Sequence, residues 1–382
     1  MEKVRLGDIY NISSGGTPSR KNLEYYSGGT INWVKTGDLK KKYIEETEEK
    51  ITDKGLHNSS TKMYNPGTVL IAMYGATIGE TSILNIKACT NQACAAFVKN
   101  NKVIPEYLYY FFKSNKEKFV NAGIGGAQPN ISIGYLKNVL FNLYEISEQE
   151  KIVDKLNKLE EIIDLRKKQI EELDELIKSQ FVEIFENKKF EQRTLNEISI
   201  IKGEYGSGAS AIEYKEGQPR YVRITDIKED GQLDKQNLAS PKNEKNIDKY
   251  ILKYGDLLFA RTGATVGKTY KYNEDDGYCI YAGYCIRFRL DLNICNPDYI
   301  FIYTKTDSYK KWVENKQRVV AQPNINAKEY GNDLRIPIPP IELQNQFADI
   351  VKQIDKHKFI LEKSLKETEE LQESLMDKYF KY

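Results

Sequence analysis

The chain has 382 residues, 40% of them hydrophobic, with 57 Lys+Arg against 55 Asp+Glu and a net charge of +2. That length suits two domains with something added; the apolar share excludes a disordered chain, and the charge balance excludes a polycation or polyanion. His57 and His357 alone leave almost no material for histidine catalysis or metal binding, and five cysteines without a CxxC pair point to a reducing compartment rather than a disulfide framework or zinc ribbon.

In chain order, the start MEKVRLGDIY lacks the apolar core of a signal peptide. The longest apolar runs, such as Val69 to Met73, fall far short of the ~20 residues of a membrane helix, so a soluble cytoplasmic protein is expected. Residues 1–146 read as a mixed α/β domain, with the β-rich run TVLIAMYG, Gly/Asn/Ser/Pro turns and the helical patch PEYLYYFFKSNKEKFV. Residues 147–187 read as a long helix. There Ile152, Leu156, Leu159, Ile163, Ile170, Leu173 and Ile177 recur at alternating four- and three-residue steps, with Arg166 filling one slot.

Residues 188–340 read as a second mixed α/β domain, with YCIRFRL and LRIPIPP as strands and PDYIFIYTKTDSYKKWVE as a helical patch. Residues 341–382 form a second helix with Phe347, Val351, Ile354, Leu361, Leu365, Leu375 and Tyr379 on its seam and polar lapses at Lys358, Thr368 and Gln372. Neither helical stretch contains Gly or Pro, and some 40 residues give about 60 Å of helix. Such a helix with a narrow apolar stripe needs a partner. The other copy, paired antiparallel about a pseudo-twofold axis, is the obvious one, against the plainer possibility of packing on its own domain.

The second half repeats the first. PGTVLIAMYGATIGET (Pro66 to Thr81) matches YGDLLFARTGATVGKT (Tyr254 to Thr269) at an offset of 188, as WVKTGDL from Trp33 matches YVRITDI from Tyr221. AQPNIS from Ala127 matches AQPNIN from Ala321 at 194, and Gln149 matches Gln344 at 195. Offsets that drift by a few residues mean short loop insertions between two copies of one fold.

Charge is uneven behind the neutral total. Residues 147–187 carry 12 acidic and 7 basic side chains, net −5, and residues 341–382 carry 9 and 7, net −2. With the chain at +2, the two globular blocks hold +9. Positive domains rich in Tyr, Asn and Gln suit a polyanion partner; ordinary surface lysine is the plainer reading of so modest an excess, and charge alone tilts only slightly toward nucleic acid.

Two motifs invite chemistry. TGATVGKT (Thr262 to Thr269) has Thr262 where a phosphate loop needs its first Gly, and the matching copy has Glu80 in place of the lysine. The following TYKYN reads as a strand, not a helix, so a strand–turn–strand that brings backbone close to a partner is the better reading. The QPN loops contain no nucleophile–base pair. Their Gln and Asn can bond an adenine edge bidentately, or Asn130 and Asn324 can cap their own turns. Methyltransferase N-P-P-F/Y and F-x-G-x-G strings are missing.

In full length the chain resembles the specificity subunit of Type I restriction-modification enzymes. The residues that carry the likeness are SSGGTPS (Ser13 to Ser19), WVKTGDL, GTVLIAMYGATIGET and GDLLFARTGATVGKT, the two QPN loops, and the helix starts SEQEKIVDKL and IPPIELQNQF. Departures are Thr225 where the first copy has Gly37, Leu343 where it has Glu148, and the lack of Pro-Pro before the first helix. The resemblance implies an α+β fold of two target-recognition domains separated by two long helices in an antiparallel coiled coil. Each domain would read one half of a bipartite, asymmetric site on double-stranded DNA, with the helices setting the gap. It also implies no catalysis and no cofactor in this chain. Two modification subunits would carry S-adenosylmethionine and restriction subunits ATP, and no membrane is involved.

Repeat position and side-chain type then pick the DNA-contacting candidates. These are Lys35, Thr36, Tyr74, Thr77, Gln128 and Asn130 in the first domain. In the second they are Arg223, Thr225, Arg261, Thr262, Thr265, Lys268, Gln322 and Asn324, with Arg261 suited to a phosphate or a guanine edge. The rival reading is a coiled-coil scaffold with two protein-binding domains. A third, a nucleotide-hydrolysing enzyme, would show itself by turnover.

Overall fold

The computed structural model describes residues 1–123, 130–186, 188–243, 245–317 and 323–381. The chain divides into two compact units, one of Met1–Lys167 with Lys363–Tyr382 and the other of Lys168–Glu362. Each is α+β, and no helix among the described residues is long and apolar enough to cross a membrane.

In the first unit, Val69–Ala72 and Cys94–Phe97 pair antiparallel at the centre of a five-stranded sheet ordered 13–14, 94–97, 69–72, 81–84, 43–44. All eight central residues are buried, which is why these strands read as continuous apolar runs rather than alternating ones. A second sheet, ordered 49–51, 31–34, 88–90, 63–64, is mixed, because Ile31–Val34 runs parallel to Ala88–Thr90. Glu2–Arg5 and Leu140–Leu143 form a separate antiparallel ribbon.

The second unit repeats these parts. Ser199–Tyr205, Cys285–Leu290, Asp256–Ala260 and Thr269–Lys271 make the main sheet. Arg220–Val222 runs parallel to Cys279–Tyr281, and Glu191–Thr194 pairs with Arg335–Ile338.

Each helical patch is two helices where the sequence predicts one. Pro105–Ser114 and Lys116–Gly123 break at Asn115, whose amide donates to the Phe111 carbonyl at 2.9 Å. Pro297–Tyr303 and Asp307–Gln317 break at Thr306, whose hydroxyl donates to the Tyr303 carbonyl and accepts from the Tyr309 N–H. Side chains that compete for backbone partners in this way end helices. Pro occupies the first position of both leading helices, where its missing N–H has no intrahelical partner to lose. Tyr107 to Phe112 are all buried and fill the first core, each large side chain contributing roughly 1.5–3 kcal/mol by burial.

The long helices run Ile146–Phe181 and Ile341–Phe380. The first ends in a wider π turn, Val182–Glu186, that keeps Phe181 and Phe185 fully buried. Within each unit the two helix portions pair antiparallel. In the first, Ile152 and Leu156 share a core with Met376, Tyr379 and Phe380, while Arg166 reaches the Ser364 carbonyl at 2.7 Å and the Thr368 hydroxyl. In the second, Phe181 lies 5.7 Å from Phe347 and Lys358 bonds Asp174 at 2.7 Å. Three of the polar slots in the heptads are thus satisfied: Arg166 meets Thr368, and Lys358 meets an acid.

Gln149 and Gln344 explain another repeat match. Both are fully buried at the first turn of their helices. The Gln149 carbonyl accepts the Ile104 N–H, and its amide donates to Lys102 and Tyr144 carbonyls. Gln344 does the same with Asn296, Ile294 and Pro339. Each helix start is therefore tied by three buried hydrogen bonds to the domain beside it.

Candidate nucleic-acid interface

A run of backbone hydrogen bonds lines up the candidate segments along one edge of each unit. In the first unit, the Asn91 N–H donates to the Val34 carbonyl at 2.9 Å, immediately before Lys35 and Thr36. After a turn at Gln92, Ala93 accepts from the Met73 N–H, Met73 accepts from Ile131, and Tyr74 bridges Asn130. In the second unit the same run passes from Val222 to Ala282, then from Tyr284 to Arg261, and from Arg261 to Ile325, with Thr262 bridging Asn324. Three paired steps of about 4.8 Å, with the turn added, make an edge on the order of 15–20 Å long.

The glycine-bearing turn is the strand–turn–strand that its sequence predicts. Gly75 and Gly263 have φ of +69° and +68°, and a Cβ at either would meet nothing within 4 Å. There the backbone conformation, not space, demands glycine. At Gly267 a Cβ would lie 2.7 Å from Val313, so the turn also needs room against a helix. Thr77 and Thr265 close their turns by donating to the Tyr74 and Thr262 carbonyls.

In the first unit, Tyr74 is 42% exposed and Asn130 is exposed, its backbone N–H on the Gly123 carbonyl. Lys35 lies 2.7 Å from Glu49, which also takes Arg20 at 2.6 Å. The Glu49 hydrogen bond raises the Lys35 pKa, while Arg20 and then Lys35 hold Glu49 below the usual carboxylate value. Lys35 enters any anion contact already ion-paired. Thr36 opens the short turn Thr36–Asp38, which the Asp38 carboxylate caps by accepting the Lys35 N–H.

In the second unit, Arg223 makes a bidentate pair with Asp226 and donates to the Asn237 carbonyl, and Asp226 raises its pKa. Thr225 beside it is exposed. Lys268 pairs with Glu229 at 2.8 Å. Thr262 is half-buried, its hydroxyl 3.5 Å from the Pro323 carbonyl. Arg261 donates from Nε to the Asn324 Oδ1 at 3.2 Å and lies 4.8 Å above the Tyr205 ring. Gln128 and Gln322 lie outside the described residues. Of the remaining twelve candidates, Lys35, Arg223 and Lys268 already have acidic partners in Glu49, Asp226 and Glu229.

Sequence reasoning missed three exposed or half-exposed groups on these edges: Gln92, Tyr284 and Tyr205. Gln92 accepts from the Thr17 hydroxyl, and Tyr284 is 62% exposed. The signal was the pair Cys94 and Cys285, which bond to equivalent strand residues at an offset of 191 and would have aligned the turn between the strands. Among the described residues, no group of three or more His, Cys, Asp or Glu is placed to hold a metal.

The architecture is that of a tandem recognition protein: two like-built α+β units, each presenting one edge and each holding its own antiparallel pair of helix portions. The chain belongs to the Type I restriction modification DNA specificity domain family, which matches residues 1–175 and again 187–373. Similar proteins include the MjaIX specificity subunit of Methanocaldococcus jannaschii, 24% identical, with 98% of this chain and 91% of the relative covered. The MjaVIII specificity subunit of the same organism is also 24% identical, over 98% of this chain and 89% of its own. The fold is shared with a chain from a structure of the type I R-M system's assembly and conformational transition, at TM-score 0.64 and 18% identity over 99% of this chain and 97% of that one. It is shared also with the Type-I restriction-modification S subunit from M. genitalium, at TM-score 0.57 and 16% identity over 100% and 96%.

Proposed function

We propose that this chain selects the DNA sequence for a Type I restriction-modification assembly, each unit reading one half of a bipartite, asymmetric site. The observation that carries this is the recognition edge built twice from the same backbone run, with different side chains on it: Lys35, Tyr74 and Gln92 on one copy, Arg223, Thr262 and Tyr284 on the other. Equal scaffolds with unequal side chains are what two different half-sites require. An edge of roughly 15–20 Å can follow a major groove about 12 Å wide.

Lysines and arginines at the edges position each unit on phosphates and supply most of the affinity, which therefore falls with salt. Side chains of the turns, Tyr74, Thr77, Gln128 and Asn130 in one unit and Thr225, Arg261, Thr262, Thr265, Gln322 and Asn324 in the other, supply discrimination. Lys35, Thr36, Arg223 and Lys268 border them. The long helices set the unread gap and dock two modification subunits. S-adenosylmethionine is bound there and ATP on restriction subunits, in the cytoplasm; this chain is the targeting subunit and performs no chemistry.

The test is a mobility shift of duplex DNA with the full-length chain across a salt series. A shift whose affinity falls linearly with salt on logarithmic axes, and that persists against mixed competitor DNA only for particular duplexes, is expected. Absence of binding, or binding without sequence preference, overturns the proposal.

A further inference from the structure

We infer that Arg261 reads a guanine in the half-site of the second unit; this rests on the DNA reading above. Arg261 follows the central strand Asp256–Ala260, and its backbone is held on both sides. Its N–H donates to the Tyr284 carbonyl at 3.1 Å and its carbonyl accepts from Ile325 at 2.9 Å. The side chain is held as well. Nε donates to the Asn324 Oδ1 at 3.2 Å, and the guanidinium lies 4.8 Å over the Tyr205 ring. Neither support is loose. The Tyr205 hydroxyl accepts the Ala327 N–H at 3.1 Å, and Asn324 is bridged to Thr262.

The tilt and roll of the guanidinium are thus set by the protein. Arg220, Arg223, Arg287 and Arg289 of the same unit are ion-paired to Asp276, Asp226, Glu204 and Asp256. Among the described residues Arg261 has an amide oxygen and an aromatic face in place of an acid, and Nη1 and Nη2 remain as two parallel donors. Guanine O6 and N7 are the major-groove edge that accepts two parallel donors. Adenine sets a donor beside its acceptor, and would repel one arm of the fork. A phosphate also accepts the fork, but attracts it by charge from many directions. Orientation fixed in advance serves a contact that depends on direction, and it reduces the rotamer freedom lost on binding. The first unit has Met73 at this place, 2% exposed. This arginine contact therefore has no counterpart in the first unit.

The experiment is selection by the full-length chain from a randomised duplex library at one salt concentration, with wild type, R261M and R261K, followed by affinity measurements on enriched duplexes across a salt series. Wild type should enrich bipartite sites with an invariant guanine in one half, and both variants should relax that position alone, by roughly 5- to 150-fold. R261K keeps the charge and loses the fork. In case a variant folds poorly, the wild-type chain is also titrated with the selected duplex carrying 7-deazaguanine, which lacks N7, at each guanine in turn. One position in that half should weaken binding strongly. Equal weakening of all sequences by R261M, with a salt slope shallower by about one, would mean a phosphate contact and overturn the inference. So would full affinity for every deaza duplex. Enriched sites with no guanine relaxed overturn the inference while leaving the DNA reading intact, and no enrichment by wild type removes both.

Discussion

Phe380 closes the core of the first unit from the far end of the chain, so replacing it should unfold that unit selectively. Its side chain is fully buried, with its ring 5.0 Å from Tyr107. Its carbonyl accepts the Asn115 amide at 3.2 Å, and the neighbouring Tyr379 carbonyl accepts Asn142 at 3.1 Å. Phe380→Ala leaves a cavity beside the Tyr107 ring in the packed first core. The cost is about 3–5 kcal/mol, the range for Phe→Ala in a packed core. If the helix end frays, two buried amides lose their acceptors as well. Peptide-resolved hydrogen exchange reads the effect by unit. Amides of 105–115 and 140–144 should open roughly 150- to 5000-fold more often, while those of 297–303 and 335–338 stay protected. Phe185→Ala should do the reverse, since Phe185 is fully buried against Tyr299 at 4.8 Å and Phe347 at 5.2 Å. Unchanged exchange over 105–115 in Phe380→Ala, or equal loss in both units, would refute the placement of the chain's end in the first core.

Four further outcomes are expected. Gln149→Leu leaves the Ile104 N–H and the Lys102 and Tyr144 carbonyls without their partner; it should lower the denaturation midpoint of the first unit by the equivalent of at least about 1–3 kcal/mol, and an unchanged midpoint would contradict the tie. Four residues inserted near Ser179 add about 6 Å of helix, an insertion a heptad seam can absorb by local unwinding. Methylation of sites differing only in gap length should then prefer a gap one or two base pairs longer with both half-sites unaltered, and an unaltered gap would mean that the helices only join the units. The purified chain alone should neither methylate nor cut DNA, methylation appearing only with modification subunits and S-adenosylmethionine; methyl transfer by the chain alone would overturn its role. Burial holds the Lys305 ammonium down to about 8, below the 10.5 of an unburied lysine. Between those values the unfolded state binds more protons, so the stability of the second unit should rise with pH from 8 to 10 and Lys305→Met should flatten that rise in pH-dependent melting.

The repeat was legible because its landmarks are backbone requirements. Gly75 and Gly263 sit at positive φ, and Gln149 and Gln344 supply three hydrogen bonds that few side chains can supply. The helices were legible from periodicity, and even their polar lapses were visible. That Arg166 meets Thr368 was not, because antiparallel register is set by packing between segments some 200 residues apart. The break of each helical patch at Asn115 and Thr306 was hidden for a similar reason: both side chains cap through local backbone bonds that a period count does not weigh. On the candidate edges, side-chain type named Lys35, Arg223 and Lys268 as DNA-contacting candidates. The fold gives them Glu49, Asp226 and Glu229, acids brought near by strand pairing and loops. Arg261 is the reverse case, since Tyr205 stands 56 positions earlier in sequence and no motif connects the two.

The most direct test of a two-edged DNA reader is methylome sequencing of a host with this gene, without it, and with the Arg261→Met variant. One bipartite motif should be methylated with the gene present and unmethylated without it, and Arg261→Met should change one half of that motif only. Loss of no motif on deletion, or a variant that alters both halves together, would contradict the division of reading between the two units.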